Sequence, residues 1–296
     1  MVSANYAQYW DDIERLRTGC YPHLLDVFPN IYHYRPSLGA GITFCVLFAF
    51  CSLGHLVTFG FFRKWTSILF FLGSITELIG WAGRTWSAKC PYNTNAFLMQ
   101  ITTLIIAPTF YAAALYVLLG SLIKLLGPQT SIMTPKWYAI IFCTCDVASL
   151  VIQAVGGAMA STAADKIDGD TKPGTHTMVA GIVFQLFTMT VFAVLVADFL
   201  RRVFVHKTMM DRKIKLVLSS MTVSFVMIYI RSIYRTIELA EGWSGKLITT
   251  EGYFIGLDAA LMFVAAAAWL VFDPAVLLRS HPPRTEPEKD DSEFSS

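Results

Sequence analysis

Charged and amide side chains recur at fixed intervals inside the long apolar stretches of this 296-residue chain. In four of these stretches two polar residues stand seven positions apart, which places both on one face of a helix, two turns from each other. The four pairs are Glu77 and Arg84, Asp146 and Gln153, Arg231 and Glu238, and Glu251 and Asp258. Each stretch therefore has one polar stripe on an otherwise apolar surface, and Arg235 extends the stripe that contains Arg231.

These stripes predict a polar interior. An ionised side chain at the centre of a bilayer costs roughly 2.5–3.5 kcal/mol on insertion scales, so each one needs a partner or a watery cavity. We therefore expect a hydrated substrate cavity that opens toward the outer leaflet. Its candidate residues are Glu77, Arg84, Gln100, Asp146, Gln153, Gln185, Arg231, Arg235, Glu238, Glu251 and Asp258. A second interpretation stays open, in which ion pairs such as Glu77–Arg84 or Arg235–Glu251 only hold the helices together.

The elements that position these residues are transmembrane helices. Hydrophobic residues make up 55% of the chain and charged residues 15%, against roughly 25% charged in soluble domains. A bilayer-spanning helix needs about 20 largely apolar residues. Seven segments meet this requirement: 39–62, 66–86, 96–125, 137–160, 177–201, 214–238 and 250–272. The sequence thus predicts an all-α integral membrane protein, a bundle of seven transmembrane helices over residues 38–274.

The residues at both ends of the bundle differ in composition from the spans. Residues 1–37 are polar, with mixed charges, and form the predicted extracellular N-terminal segment. Residues 275–296 are rich in Pro, Asp, Glu and Ser, a composition typical of disorder, and form the predicted cytosolic tail.

The distribution of basic residues predicts the orientation. With the N-terminus outside, the cytosolic links hold ten Lys and Arg residues and the outer links hold four. This bias satisfies the positive-inside rule, so we expect the N-terminus outside and the C-terminus in the cytosol. Six of the ten lie in the 201–215 link, which either marks topology beside anionic headgroups or contacts a cytosolic protein partner.

The predicted orientation determines on which side of the membrane each cysteine lies. Cys20 and Cys90 fall on the outer side, and the other four cysteines fall inside spans. An outer pair in an oxidising space can form a disulfide, although two unpaired thiols remain the alternative.

Several classes of seven-helix protein lack support in the sequence. The last span has no lysine for a retinal Schiff base, and His55 is the one histidine well inside a span, so no zinc site is expected. No phosphate-binding loop of the Gly-x-x-x-x-Gly-Lys-Ser/Thr type is present. We therefore expect no metal, no cofactor, no nucleic-acid partner and no enzymatic activity.

The ordered motifs of the spans resemble the fungal lipid-translocating exporters, also called RTA-like proteins. The matching motifs are Glu77-x-x-Gly80-x-x-x-Arg84, Gln100, Ala107-Pro108-x-Phe-x-Ala-Ala, Tyr116-x-x-x-Gly120, Asp146-x-x-Ser149-x-x-x-Gln153-x-x-Gly156-Gly157, Gly181-x-x-x-Gln185, Arg231-Ser-x-Tyr-Arg235-x-x-Glu238, and Glu251 with Asp258. The likeness covers residues 34 to 274, and its specificity comes from the order of the motifs.

The resemblance implies a plasma-membrane protein linked to the export or tolerance of sphingoid bases, sterol-like amines or porphyrins. We accordingly predict a transporter or translocase for amphipathic, lipid-like molecules, with membrane lipids around it. The acids would receive an amine headgroup, and the arginines would balance the acids or hold a phosphate or carboxylate. The alternative is a heptahelical receptor or regulator that senses lipids and signals through its basic link and tail.

Overall fold

The computed structural model describes residues 15–21, 30, 32–164, 169–205, 211–243 and 245–278. Within these residues the chain is helical and has no β-strand. The first six long helices are α1 (Leu38–Phe62), α2 (Trp65–Lys89), α3 (Thr94–Leu126), α4 (Pro135–Ala164), α5 (Lys172–Val205) and α6 (Arg212–Ala240). With a seventh over Glu251–Leu277, all are long and apolar enough to cross a membrane, so the prediction of seven spans is confirmed.

The ends of the helices follow from local residue chemistry. The Ser37 hydroxyl accepts a hydrogen bond from the Ala40 N–H at 3.3 Å, and the Asn93 side chain accepts one from the Ala96 N–H at 3.0 Å. These side chains cap the exposed N–H groups at the starts of α1 and α3. Arg63 ends α1 with a φ of 48°, in the left-handed region, which turns the chain back into α2.

The seventh span, α7, changes its helical geometry partway along. It begins as Glu251–Phe254, continues as a π-helical turn over Ile255–Ala259, and returns to α-helix over Ala260–Val271. The π turn contains Asp258, and such turns occur frequently at functional sites. A short helix, α8 (Pro274–Leu277), then occupies the start of the predicted tail, and residues 279–296 lie outside the described residues.

Consecutive helices pack side by side, and α7 returns to α1, which closes the bundle. The central helix is α3, which packs on α2 and α4 and also reaches α6. Helices α4 and α5 approach each other closely, since the Ser149 hydroxyl donates to the Gly181 carbonyl at 2.7 Å. A Cβ atom at Gly181 would lie 2.7 Å from the Gln153 side chain, so this approach requires glycine.

The start of α1 and the α2–α3, α4–α5 and α6–α7 links lie at one end of the bundle, which we call the N-terminal face. Here Cys20 is joined to Cys90 by a disulfide, and the Asn93 side chain donates to the Thr18 and Gly19 carbonyls. These bonds hold the chain before α1 against the α2–α3 link. Residues 165–168 of the α4–α5 link and residues 206–210 of the α5–α6 link lie outside the described residues. The orientation in the membrane stays a prediction.

Candidate functional site

Helices α6 and α7 together build a buried group of ion pairs. Their short connection predicts that they are neighbours, and they pack side by side. Arg231 of α6 forms an ion pair with Asp258 of α7. One turn further along α6, Arg235 Nη1 donates to Glu238 Oε2 at 2.6 Å, and the Tyr234 hydroxyl donates to Glu238 Oε1 at 2.9 Å. All of these charged side chains are buried.

Arg231 also bonds to the main chain of α3. Pro108 has no N–H, so the carbonyl four residues earlier, at Leu104, has no partner within the helix. The Nη2 group of Arg231 donates to this carbonyl at 2.6 Å. The proline therefore creates the acceptor that fixes Arg231 between α3 and α7.

Glu77 of α2 lies beside these pairs. Its side chain is 1% exposed, and its Oε1 atom has no hydrogen-bond partner among the described residues. Arg231, Arg235 and Asp258 lie within electrostatic range of its carboxyl group. We call the five residues Glu77, Arg231, Arg235, Glu238 and Asp258 the charged centre.

A separate ion pair lies above the charged centre, toward the N-terminal face. Arg84 Nη2 donates to Glu251 Oε1 at 2.8 Å and to the Tyr34 hydroxyl at 2.8 Å. The same carboxyl oxygen accepts a bond from the Ser37 N–H at 2.8 Å, and the Arg84 guanidinium lies 4.4 Å from the ring centroid of Phe254. This pair connects α2, α7 and the chain before α1.

Two tyrosines before α1 close the N-terminal face over these charges. The Tyr32 hydroxyl bonds to Gln100 Oε1 at 2.8 Å and to the Ser87 hydroxyl at 3.0 Å. Burial raises the pKa of Tyr32 to about 12, and burial also raises the pKa of Tyr34. From the sequence, residues 1–37 were predicted to be a polar extracellular segment, and neither tyrosine was assigned to the site. The available signal was two aromatic residues directly before the first span.

The ion pairs in the structure are not the two that the sequence suggested as purely structural pairs, Glu77–Arg84 and Arg235–Glu251. Glu77 does not pair with Arg84, because seven residues of helix separate them by about 10 Å along the axis. Glu251 pairs with Arg84 rather than with Arg235, which binds Glu238 on its own helix. Of the two acids of α7, Asp258 pairs with Arg231 of α6, whereas Glu251 pairs with Arg84 of α2.

The remaining candidate residues form two further groups. Gln153 of α4 donates to Gln185 of α5 at 3.2 Å and to the Ser149 hydroxyl at 2.7 Å. Asp146 lies apart, because its Oδ2 atom accepts a bond from the Tyr116 hydroxyl at 3.0 Å in α3. The structure does not bring Asp146 to the charged centre.

Two small cavities adjoin the charged centre, where the sequence predicted a single hydrated cavity that opens toward the outer leaflet. The inner cavity, about 20 Å³, lies among α3, α4, α5 and α6, and its polar lining is Gln153, Gln185, Arg231, Ser232 and Arg235. The upper cavity, about 30 Å³, has the polar lining Tyr32, Tyr34, Arg84, Gln100, Arg235 and Glu238. Each has room for about one or two water molecules. Arg235 lines both cavities and separates them.

The described residues contain no group of three or more His, Cys, Asp or Glu side chains that could hold a metal ion. The side chains gathered here are ion pairs, amides and phenols, which can hydrogen-bond to polar groups.

Comparison with known proteins places this arrangement in a family. The family model described as RTA1 like protein matches residues 70–281. A sphingoid long-chain base transporter of Saccharomyces cerevisiae, RSB1, is 32% identical over 87% of this chain and 80% of its own length. Protein RTA1 of the same species is 27% identical over 85% of this chain and 87% of its own, and protoporphyrin uptake protein 1 is 27% identical over 81% and 91%. No solved structure matches.

Proposed function

The chain belongs to the RTA1-like protein family, and on this premise we propose that it transports amphipathic, lipid-like molecules across the membrane without altering them chemically. The observation that carries the proposal is the 32% identity, over most of both chains, to a protein named as a sphingoid long-chain base transporter. The relatives named for sphingoid bases and for protoporphyrin share one feature of chemistry, because both kinds of ligand combine an apolar body with ionisable groups.

The position of Arg235 supports a transport pathway. It lies between the upper cavity, which reaches the tyrosines of the N-terminal face, and the inner cavity, which reaches Gln185 and Ser232. A transporter must expose a polar site to one side at a time, and a buried ion pair between two cavities can act as the barrier. Movement of Arg235 away from Glu238 would join the two cavities.

A lipid-like substrate need not leave the bilayer entirely. Gln185 of α5 and Ser232 of α6 both line the inner cavity, and both are half-buried. We propose that a headgroup passes between α5 and α6 into the inner cavity while its apolar tail stays in lipid. This arrangement avoids the cost of moving the tail through a polar site.

We further propose the plasma membrane as the location, with the N-terminus outside. The links on one side of the spans hold ten basic residues and those on the other side hold four, which supports this orientation. The upper cavity would then face the cell exterior, and transport through the site would carry substrate between the outer leaflet and the membrane interior.

The test is transport by the purified protein in liposomes. Vesicles would be loaded on one side with a tritiated sphingoid base, and its extraction from the opposite leaflet by albumin would be timed. We expect the protein to accelerate this movement at least severalfold over protein-free vesicles. A rate equal to that of empty vesicles would contradict the proposal.

The alternative function is that of a receptor or regulator that binds the lipid and signals through the basic link. Part of that link is already neutralised, since Arg201 and Arg202 both pair with Asp198 on α5. The liposome assay also separates the two functions, because a receptor would bind the sphingoid base without moving it.

A further inference from the structure

The charged centre contains one acid more than its arginines can balance. Arg231 pairs with Asp258, and Arg235 pairs with Glu238. Arg84 is already matched by Glu251. Glu77 is therefore the acid of the charged centre without an ion-pair partner of its own among the described residues, and with all five residues ionised the group would carry a net charge of −1.

The surroundings of Glu77 do not supply the missing charge. From α6 it faces Arg231 and Arg235, from α7 Asp258, and from α3 the Tyr111 phenol. Helix α1 contributes the Cys51 thiol, which lies near Tyr111. An uncompensated carboxylate buried at this depth costs several kcal/mol, whereas the neutral acid does not.

We propose that Glu77 binds a proton when the transporter is empty and releases it when a cationic amphiphile enters the adjacent inner cavity, so that transport is coupled to proton exchange. The charges balance in each state. In the empty state the carboxylic acid is neutral and the two ion pairs cancel. In the loaded state the ammonium group of the substrate compensates the Glu77 carboxylate, and the proton passes to water.

The identity of the cation in this inference rests on the proposed function. The presence of a proton on Glu77 does not depend on that function. Because proton and ammonium group compete for one unit of charge, each weakens the binding of the other by the same factor. The two ligands need not touch the same atoms, since Glu77 and the inner cavity share Arg231 and Arg235 as neighbours.

The structure also offers the proton a direction of travel. Ser74 lies one turn from Glu77 on α2, toward the end of the bundle opposite the N-terminal face, and its hydroxyl shares a hydrogen bond with the Tyr111 hydroxyl at 2.8 Å. Ser67 lies two turns further along α2. Ser67 and Ser52 of α1 are buried hydroxyls without hydrogen-bond partners among the described residues. Such groups can hydrogen-bond to water when it enters, so this stripe of α2 and α1 is the route that we assign to the proton.

Infrared spectroscopy of the purified, substrate-free protein tests the proton on Glu77 directly. We expect a carbonyl stretching band of a protonated carboxylic acid at neutral pH. Glu77→Gln should remove this band, whereas Glu241→Gln, at an exposed residue that directly follows α6, should retain it. If Glu77→Gln does not fold, the loss of the band from the wild-type protein upon addition of the cationic probe replaces the comparison. Absence of the band from the wild-type protein would overturn the proposal.

Binding of a fixed-charge probe, N,N,N-trimethylsphingosine, tests the coupling, since its charge does not change with pH. For the wild-type protein we expect Kd to fall up to about tenfold for each unit of pH increase. In Glu77→Gln, which mimics the protonated acid, Kd should stay at the weak, low-pH value. A wild-type Kd that does not vary with pH, together with normal transport, would overturn the coupling and leave the proposed function intact. An infrared band without any binding of the probe would support the proton on Glu77 and contradict the proposed function.

Discussion

Arg231 donates a 2.6 Å hydrogen bond to the Leu104 carbonyl, which Pro108 leaves without a helical partner. The same guanidinium group pairs with Asp258 in the π turn of α7. Two irregular points of the backbone, a proline in α3 and a π turn in α7, therefore meet at one side chain of α6. Arg231 holds three helices at fixed depth, and it does so beside a cavity.

The pair of Arg231 and Asp258 should show strong energetic coupling. Arg231→Ala leaves Asp258 buried without a partner, so we expect a loss of about 3–5 kcal/mol in the free energy of unfolding. Arg231→Lys keeps the charge, but its N–H donors sit on one nitrogen, which cannot reach both Asp258 and the Leu104 carbonyl as the forked guanidinium does. We therefore expect a smaller loss, about 1.5–3 kcal/mol. Thermal or denaturant unfolding in detergent would measure both values.

The double variant Arg231→Ala with Asp258→Ala provides the control. Because it removes both charges, it should recover a large part of the stability that Arg231→Ala loses. Losses that simply add in the double variant would show that the two side chains do not interact, and would contradict the ion pair.

The sequence was sufficient to predict the spans, because length and apolar composition are properties of each helix alone. The predicted and observed bounds of α1, 39–62 and Leu38–Phe62, differ by one residue, and those of α6 by two at each end. The polar stripe of each helix was equally visible, because it depends on periodicity. Glu77, Arg84, Arg231 and Asp258 are all buried.

Which polar side chains pair with each other could not be predicted from the sequence, because pairing depends on how the helices are rotated and shifted along their axes relative to one another. The π turn changes the rotation of α7 partway along, and nothing in the run from Ile255 to Ala259 marks it. Asp146 has the same periodic spacing as Glu77, yet it finds a phenol of α3 instead of a cation. The part played by Tyr32 and Tyr34 depends on their hydrogen bonds to α2 and α3, which periodicity does not address.

Tyr32 should report the docking of the N-terminal segment through its titration. Burial raises its pKa from 10.0 to about 12, so the docked form favours the neutral phenol. The neutral Tyr32 phenol should contribute fully to the stability of docking below pH 10. This contribution should decrease as the pH rises above 10 and be lost once the pH passes about 12. In an ultraviolet titration of phenol ionisation, Tyr32→Phe should lower the amplitude of the late transition by that of one phenol and leave the main transition near pH 10 unchanged. Loss of that amplitude from the main transition instead would contradict the burial of Tyr32.

The disulfide predicts the number of reactive thiols. Of the six cysteines, Cys45, Cys51, Cys143 and Cys145 are free. Alkylation of the denatured, non-reduced protein should therefore add four labels by mass spectrometry, and prior reduction should raise the number to six. Cys90→Ser should lower the free energy of unfolding by about 2–5 kcal/mol, because it releases the N-terminal segment. Six labels without reduction would contradict the disulfide.

Epitope tags would test the orientation. A tag inserted at Gly169, in the α4–α5 link, should bind antibody on intact cells, because this link lies on the N-terminal face. A tag within residues 206–210, in the basic α5–α6 link, should bind only after permeabilisation. The reverse pattern would place the N-terminus in the cytosol and exchange the two sides of the proposed transport path.

The final prediction separates a transport role of Arg235 from a structural one. Arg235 is 7% exposed and Glu238 is 2% exposed, so Arg235→Gln leaves a buried carboxylate that keeps only the bond from Tyr234. We expect this single variant to lose about 3–5 kcal/mol of unfolding free energy. The double variant Arg235→Gln with Glu238→Gln removes the unpaired charge and should recover most of that loss.

The double variant Arg235→Gln with Glu238→Gln distinguishes the two roles, because we expect it to fold although it lacks the ion pair between the two cavities. If Arg235 moves during transport, the double variant should bind the sphingoid base weakly and transport it at less than about a tenth of the wild-type rate, a difference of about 1.4 kcal/mol or more. The matched control is Arg202→Gln with Asp198→Asn, which removes an ion pair of the same 2.6 Å length near the end of α5, together with the longer pair between Asp198 and Arg201. A half-exposed pair contributes little, about 0–1 kcal/mol, so the control should retain both stability and transport. Full transport by the Arg235 and Glu238 double variant would mean that this pair only ties α6 internally, and the path between the cavities would have to run past another residue.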